Sequence, residues 1–325
     1  MKKLAIYFLT LMLATALLST GCKKDDDDPF NAQKALTDYL VSQQLDINKM
    51  LDGFVIGAPA DGNMSDYHLI DIRSTEDFAL GHITGAVNVP FTDILIEAAN
   101  ATKPIVVVCY TGQTATYAGT LLRLSGYDTA KALKWGMSGW NPVFANNAKG
   151  WNGKTGDIAV GNANWTTDSA PTNLTFESPT FTSTSTDPAE ILQARIAQVV
   201  SEGFKTVTPD DVLTNPNSFF INNYFSEAHF TGFGHIDGAY RINPMLVGGG
   251  DNEKVTNNDS SKKVVTYCYT GQTSAAITSY LRVIGYDAYS MVFGMNKLYH
   301  SSSVWTANQW GVTDNPKELP YVTGN

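Results

Sequence analysis

The chain has 325 residues, of which 43% are hydrophobic and 16% charged, and a formal net charge of -9. That length supplies two domains of ordinary size rather than one core, and an acidic chain without a basic tract excludes nucleic acid as a partner. Three cysteines, Cys22, Cys109 and Cys268, are too few for a disulfide framework, and the lack of C-x-x-C or H-x-x-x-H spacing excludes a metal site of the zinc type; no cofactor is implied.

Residues 1–21 read as an export signal, with Lys2 and Lys3 ahead of a mostly apolar run at 4–18 and the small residues Ser19, Thr20 and Gly21. The run is short for a bilayer span. Leu18-Ser19-Thr20-Gly21-Cys22 resembles a bacterial lipobox, with Ser19 where the motif usually carries leucine. The resemblance implies that Cys22 is diacylated and becomes the N-terminus of a membrane-anchored protein of the cell envelope. An ordinary cleaved signal followed by an incidental thiol is the alternative. The tether at 22–35 opens on K-K-D-D-D-D, which stays solvated because it has no apolar surface to bury. It also resembles the acidic address that sends lipoproteins of certain Gram-negative bacteria to the outer cell surface. Outer-membrane anchoring with outward display and a plain spacer facing inward both remain open.

Beyond the tether the chain repeats itself. Residues 106–114 read V-V-V-C-Y-T-G-Q-T and residues 265–273 read V-T-Y-C-Y-T-G-Q-T, identical from each cysteine onward. Leu122-Arg123 answers Leu281-Arg282, Gly126-Tyr127-Asp128 answers Gly285-Tyr286-Asp287, and Gly136-Met137 answers Gly294-Met295. Upstream, G-H-I-T-G-A at 81–86 answers G-H-I-D-G-A at 234–239. Two copies of one domain are expected, at 36–150 and 188–325. Residues 151–187 are crowded with Asn, Thr, Ser, Gly and Pro and read as a linker or decorating loop, part of which packs on a domain through Trp151 and Trp165. The spacing of Ile191, Leu192, Ile196 and Val199 predicts a helix over 189–200.

Each cysteine has a definite local setting. Pro104 and the apolar run 105–108 predict a buried parallel strand, and Ala115, Ala118, Leu121 and Leu122 fall on one face of a following helix that Gly126 ends. Cys109 is thus expected between a strand's carboxyl end and a helix N-terminus, where open α/β sheets place ligands. Gly112 permits a sharp turn that converges the N–H groups of Tyr110, Thr111, Gly112, Gln113 and Thr114 on the sulfur. Such a cradle favours a thiolate and would move its pKa from about 8.5 towards neutrality. Tyr269, Thr270, Gly271, Gln272 and Thr273 repeat the arrangement at Cys268.

D-I-R-S-T-E-D-F-A-L-G-H-I-T-G-A at 71–86, C-Y-T-G-Q-T at 109–114 and G-M-S-G-W at 136–140 resemble the upstream signature, active-site loop and closing motif of rhodanese domains. The resemblance implies an α/β fold of two such domains, each an open parallel sheet flanked by helices. It also implies a sulfurtransferase in which Cys109 and Cys268 carry sulfane sulfur as a persulfide, from a small donor to cyanide, a small thiol or a protein thiol. Tyr110-Thr111 and Tyr269-Thr270 stand where thiosulfate-specific members carry Arg and Lys, so a polysulfide, a persulfide or a larger donor is expected instead. Aligned back from Glu227, the second copy places Asn222 and Tyr224 where the first has Asp71 and Arg73. If one copy has decayed, it is the second.

Other readings compete at each residue. His82 and His235 suggest a Cys-His dyad, but nothing in the sequence brings them near a cysteine, and structural roles are expected. Asp71 and Arg73 are taken as a structural pair, and Arg123 and Arg282 as solvated or snorkelling side chains. Tyr110 and Tyr269 either shape substrate access or cover the core. A phosphatase needs a loop closed by arginine, whereas Thr114 and Thr273 stand there. A non-catalytic surface module that binds protein or glycan would make both cysteines small buried residues. A Cys109–Cys268 disulfide would require the two loops to meet face to face.

Overall fold

The computed structural model describes residues 30–249, 253–312 and 315–324; Cys22, the signal and the acidic run lie outside them. In the first half α1 (Ala32–Ser42) and α2 (Ile47–Leu51) precede β1 (Val55–Ile56), β2 (His68–Asp71), α3 (Thr75–Leu80), β3 (Val87–Asn88), α4 (Ile94–Ala98), β4 (Ile105–Val108), α5 (Gln113–Leu124), β5 (Lys131–Leu133), α6 (Gly136–Trp140) and α7 (Pro142–Ala145). After β6 (Trp165–Thr166), the second half runs α8 (Pro188–Glu202), β7 (Thr206–Val207), α9 (Pro209–Thr214), β8 (Phe220–Asn223), α10 (Glu227–Phe233), β9 (His235–Ile236), β10 (Val264–Tyr267), α11 (Gln272–Val283), β11 (Ala288–Met291) and α12 (Met295–Leu298).

The first sheet has the order β1-β5-β4-β2-β3 and the second β7-β11-β10-β8, with every neighbouring pair parallel. The topology is the same in both. Where the first sheet has β3, the second has only a single parallel bridge between Asn222 and Tyr240. The expected α/β fold of two parallel sheets flanked by helices is therefore observed. The helix expected over 189–200 is α8, with Ile191, Leu192, Ile196 and Val199 buried.

The central strand β4 is buried along its length, and its alternating side chains enter different cores. Ile105, Val107 and Cys109 face the core beneath α5, whereas Val106, Val108 and Tyr110 face the one containing Met137, Trp140 and Phe144. Period two alone thus sends the sulfur toward the helix start and the neighbouring tyrosine to the opposite face. Helices α5 and α11 make the most extensive contact between any two elements. Leu121, Leu122, Ile277 and Leu281 share one core with Leu36 and Leu40 of α1 and Ile191 and Ile196 of α8. At about 1.5–3 kcal/mol per buried aliphatic side chain, that shared core accounts for one compact unit from Ala32 onward.

Two segments cross between the halves. After α7, Trp151 is fully buried, Ala159 joins the core of the second half, and β6 pairs antiparallel with β9. At the other end, residues 315–324, which the sequence assigned to the second copy, pack on the first. Leu319 enters its core, Trp140 Nε1 donates to the Pro320 carbonyl at 2.7 Å, and Val322 bridges to His82.

The repeated arginines are not solvated. Arg123 is buried, its Nη1 donating to the carbonyls of Lys49, Met50 and Asp52 at 3.2, 3.1 and 2.7 Å, with Nη2 on Gly53 and Nε on Ala130. It thereby satisfies the carbonyls that the end of α2 leaves open. Arg282 pairs with Glu202 at the end of α8. Both clamp a preceding helix to the domain, which removes them from solvent.

Candidate active site: two interlocked cysteine loops

Cys109 directly follows β4, and Gly112 at φ +83° turns the chain into α5. Its Sγ accepts N–H groups from Gly112 at 3.2 Å and Ala115 at 3.3 Å. The loop is braced from behind, since Met137 N–H donates to the Cys109 carbonyl at 2.8 Å and Ser138 N–H to that of Tyr110 at 2.9 Å. A Cβ on Gly136 would collide with the Cys109 carbonyl oxygen, so this close approach requires glycine. The second loop repeats the bracing through Met295 and Asn296, but Cys268 Sγ accepts its backbone N–H from Ser274, at 3.4 Å. There the Ser274 hydroxyl also lies 3.6 Å from the sulfur and 2.8 Å from that of Ser290. Ala115 and Ala132 occupy the corresponding places in the first copy.

Burial pushes the Cys109 thiol above its ordinary pKa. The N–H groups of Ala115, Thr111 and Gly112 pull the other way, and the negative charge of Asp71 adds to the rise. The expected shift towards neutrality is therefore not found: a cysteine only 5% exposed loses more hydration than the amide donors return.

The loop side chains do not converge on the sulfur. Tyr110 meets Asp77, and burial together with that carboxylate pushes its hydroxyl up to about 12. Burial opposes ionisation of Asp77, but hydrogen bonds from Lys149, Tyr110 and Ser74 outweigh it and hold its carboxyl below the ordinary value. Lys149 Nζ lies 2.6 Å from Asp77 and over the Tyr110 ring at 5.8 Å, so a cation stands beside the loop although none is in it. In the second copy Tyr269 bonds His229 instead. Thr111 accepts from Gln113 Nε2 at 3.1 Å, and its carbonyl accepts from Trp151 Nε1 at 3.1 Å. Thr114 and Thr273 are half-buried at the loop ends.

Strand register corrects the alignment of the copies. Asp71 lies opposite Val108 and Asn223 opposite Tyr267, while Ser74 and Ser226 cap α3 and α10 in the same way. Asn223 and Phe225, not Asn222 and Tyr224, therefore replace Asp71 and Arg73. The first copy holds a buried ion pair at 2.6 Å, with Arg73 also donating to Gly81 and lying 5.2 Å over Tyr110. In the second, Phe225 stacks on Tyr269 at 4.2 Å. A cation over a ring has been exchanged for a ring on a ring.

The two loops meet. Gln113 Oε1 accepts the Phe293 N–H at 3.0 Å from the second copy and fills the space a Cβ on Gly271 would need. Reciprocally, Gln272 Nε2 would lie 2.5 Å from a Cβ on Gly112. Trp135, Trp151, Trp310 and Phe293 pack beside this junction, Trp151 stacked on Trp310 at 5.4 Å. Both cysteines are nevertheless free and buried. His82 and His235 take no part: each stacks on a phenylalanine, Phe78 or Phe230, and turns Nδ1 to that residue's carbonyl. Sequence reasoning missed Ala115 and Ser274, although both stand at the same offset from their cysteines, and it missed Asp77, His229 and Lys149, which only the fold brings to the loops.

Two parallel-sheet domains, each ending its central strand in a cysteine loop that enters a helix, define a class in which the same scaffold is used twice. A family model described as Rhodanese-like domain matches residues 59–142 and 224–301. The chain is 36% identical over 79 residues to the thiosulfate sulfurtransferase GlpE of Shewanella oneidensis, covering 24% of this chain and 78% of that protein. It is 34% identical over 86 residues to the adenylyltransferase and sulfurtransferase UBA4 of Meyerozyma guilliermondii, 23% of this chain and 20% of that protein. A solved thiosulfate sulfurtransferase from Pseudomonas aeruginosa aligns at 15% identity over 86% of this chain and 49% of that chain, with a TM-score of 0.29. The chain belongs to the rhodanese-like family.

Proposed function

We propose that this chain is a sulfurtransferase working through a Cys109 persulfide. The observation that carries the reading is the pair of N–H groups, Gly112 and Ala115, directed at a sulfur placed at a helix N-terminus. Cys109 attacks the outer sulfur of a donor; the donor's sulfur–sulfur bond breaks, and the remainder leaves with the bonding pair and the thiol proton. The loop amides then hold the charge of the terminal sulfur. Cyanide, a small thiol or a protein thiol removes that sulfur and releases Cys109. With no cation inside the loop, polysulfide-type donors should turn over faster than thiosulfate. Incubation with donor should add about 32 Da, one sulfur atom, to the Cys109 peptide, cyanide should remove it, and Cys109→Ser should abolish it.

The depth of both thiols, 5% and 1% exposed, favours a second reading as a non-catalytic binding module. Failure of either reduced cysteine to gain cyanide-labile sulfur from any donor would establish it. On the lipobox-like run we further propose that Cys22 is acylated and anchors the chain to the envelope, in the outer membrane. Mass spectrometry of the N-terminal peptide tests this, and an unmodified Cys22 overturns it. Protease added to intact cells distinguishes outward display from a spacer facing the periplasm.

A further inference from the structure

Each loop glycine is pressed by a glutamine of the other copy, yet the two contacts differ in chemistry. Gln113 is satisfied on both sides, donating to Thr111 and accepting from Phe293. Gln272 is 3% exposed, its Nε2 has no hydrogen-bond partner, and that donor faces Gly112. Gly112 in turn supplies one of the two N–H groups on Cys109 Sγ. Loop 1 is thus met by an unspent donor, and loop 2 by an acceptor already in use.

We propose that Gln272 is a positioning residue for Cys109, supplied across the domain interface: its carboxamide holds Gly112 so that the loop amides stay aimed at the sulfur, and it presents donor charge toward the loop that becomes anionic. The role deepens the sulfurtransferase reading, on which it rests for the nucleophile. It reassigns Gln272, read from sequence as part of the second loop's own substrate site, to the first. The field of Asp71 also reaches the thiol, and it stays constant in the comparison below.

The test uses the full chain carrying Cys268→Ser and follows iodoacetamide alkylation of the Cys109 peptide against pH. Gln272→Leu should slow alkylation at pH 8 by about fivefold, the effect of weakening one donor to an anion, and should raise the pH at which it is half-maximal. Gln272→Glu keeps the shape but turns a carboxylate to the loop, so it should slow the reaction further. Because it preserves packing, it keeps the test valid if the leucine variant folds poorly. An unchanged rate in both variants, or a glutamate variant as fast as its parent, overturns the proposal. Alkylation needs no sulfur donor, so the absence of persulfide formation and the absence of a Gln272 effect are read separately.

Discussion

At Cys109 the loss of hydration outweighs the amide donors, and this decides how its reactivity follows pH. The reactive form is the thiolate, and its folded pKa lies above the ordinary value. Alkylation should therefore keep rising tenfold per pH unit past about 8.5, where an unperturbed thiol begins to level off. The same shift makes the unfolded chain give up its proton first, so stability should fall as pH rises above the ordinary thiol range. Peptide-resolved alkylation and urea unfolding at matched pH values check the two consequences; a plateau near neutral pH would contradict both.

The paired cysteines also differ in what surrounds them. Cys109 has two backbone donors and a neighbouring Asp71–Arg73 pair, whereas Cys268 has one backbone donor, the Ser274 hydroxyl, itself bonded to that of Ser290, and Phe225 where the arginine stood. Cys109→Ser should cost more sulfur-transfer turnover than Cys268→Ser. Equal losses would show that the second setting is as competent as the first.

Among the elements, those built from local pattern were legible before the fold was known. The buried run of β4, the helix after the cysteine and the apolar spacing of α8 each rest on residues within one or two turns of one another. The one-residue slip between Asn222 and Asn223 shows where pattern fails. Sequence similarity is too thin there to fix a register, while the shared serine cap and the parallel pairing fix it at once. Arg123 failed for another reason: its partners, Lys49, Met50, Asp52 and Gly53, are about seventy positions away. Because that side chain satisfies several otherwise open carbonyls, Arg123→Ala should destabilise the protein by about 3 kcal/mol. Urea denaturation measures the loss, and a change below about 0.5 kcal/mol would mean that water replaces the guanidinium without cost.

At the scale of the molecule, the doubling of the domain was written in the repeat, but the meeting of its loops was not, because the contact depends on how α5 and α11 pack and on no motif. The returning tail was equally hidden. Deleting residues 315–325 should lower the melting temperature and expose Trp140, whose indole N–H loses the Pro320 carbonyl; intrinsic fluorescence of Trp140 should shift to longer wavelength. No change in either would show that the tail only lies on the surface.

That tail gives the chain a direction in time. The first domain leaves the ribosome early, yet part of its wall, Leu319 against Trp140 and Val322 beside His82, is synthesised only after the second domain. It stays an unfinished vessel while the second domain is being made, closed only when that stretch arrives from beyond its twin in the chain, so the two halves mature together.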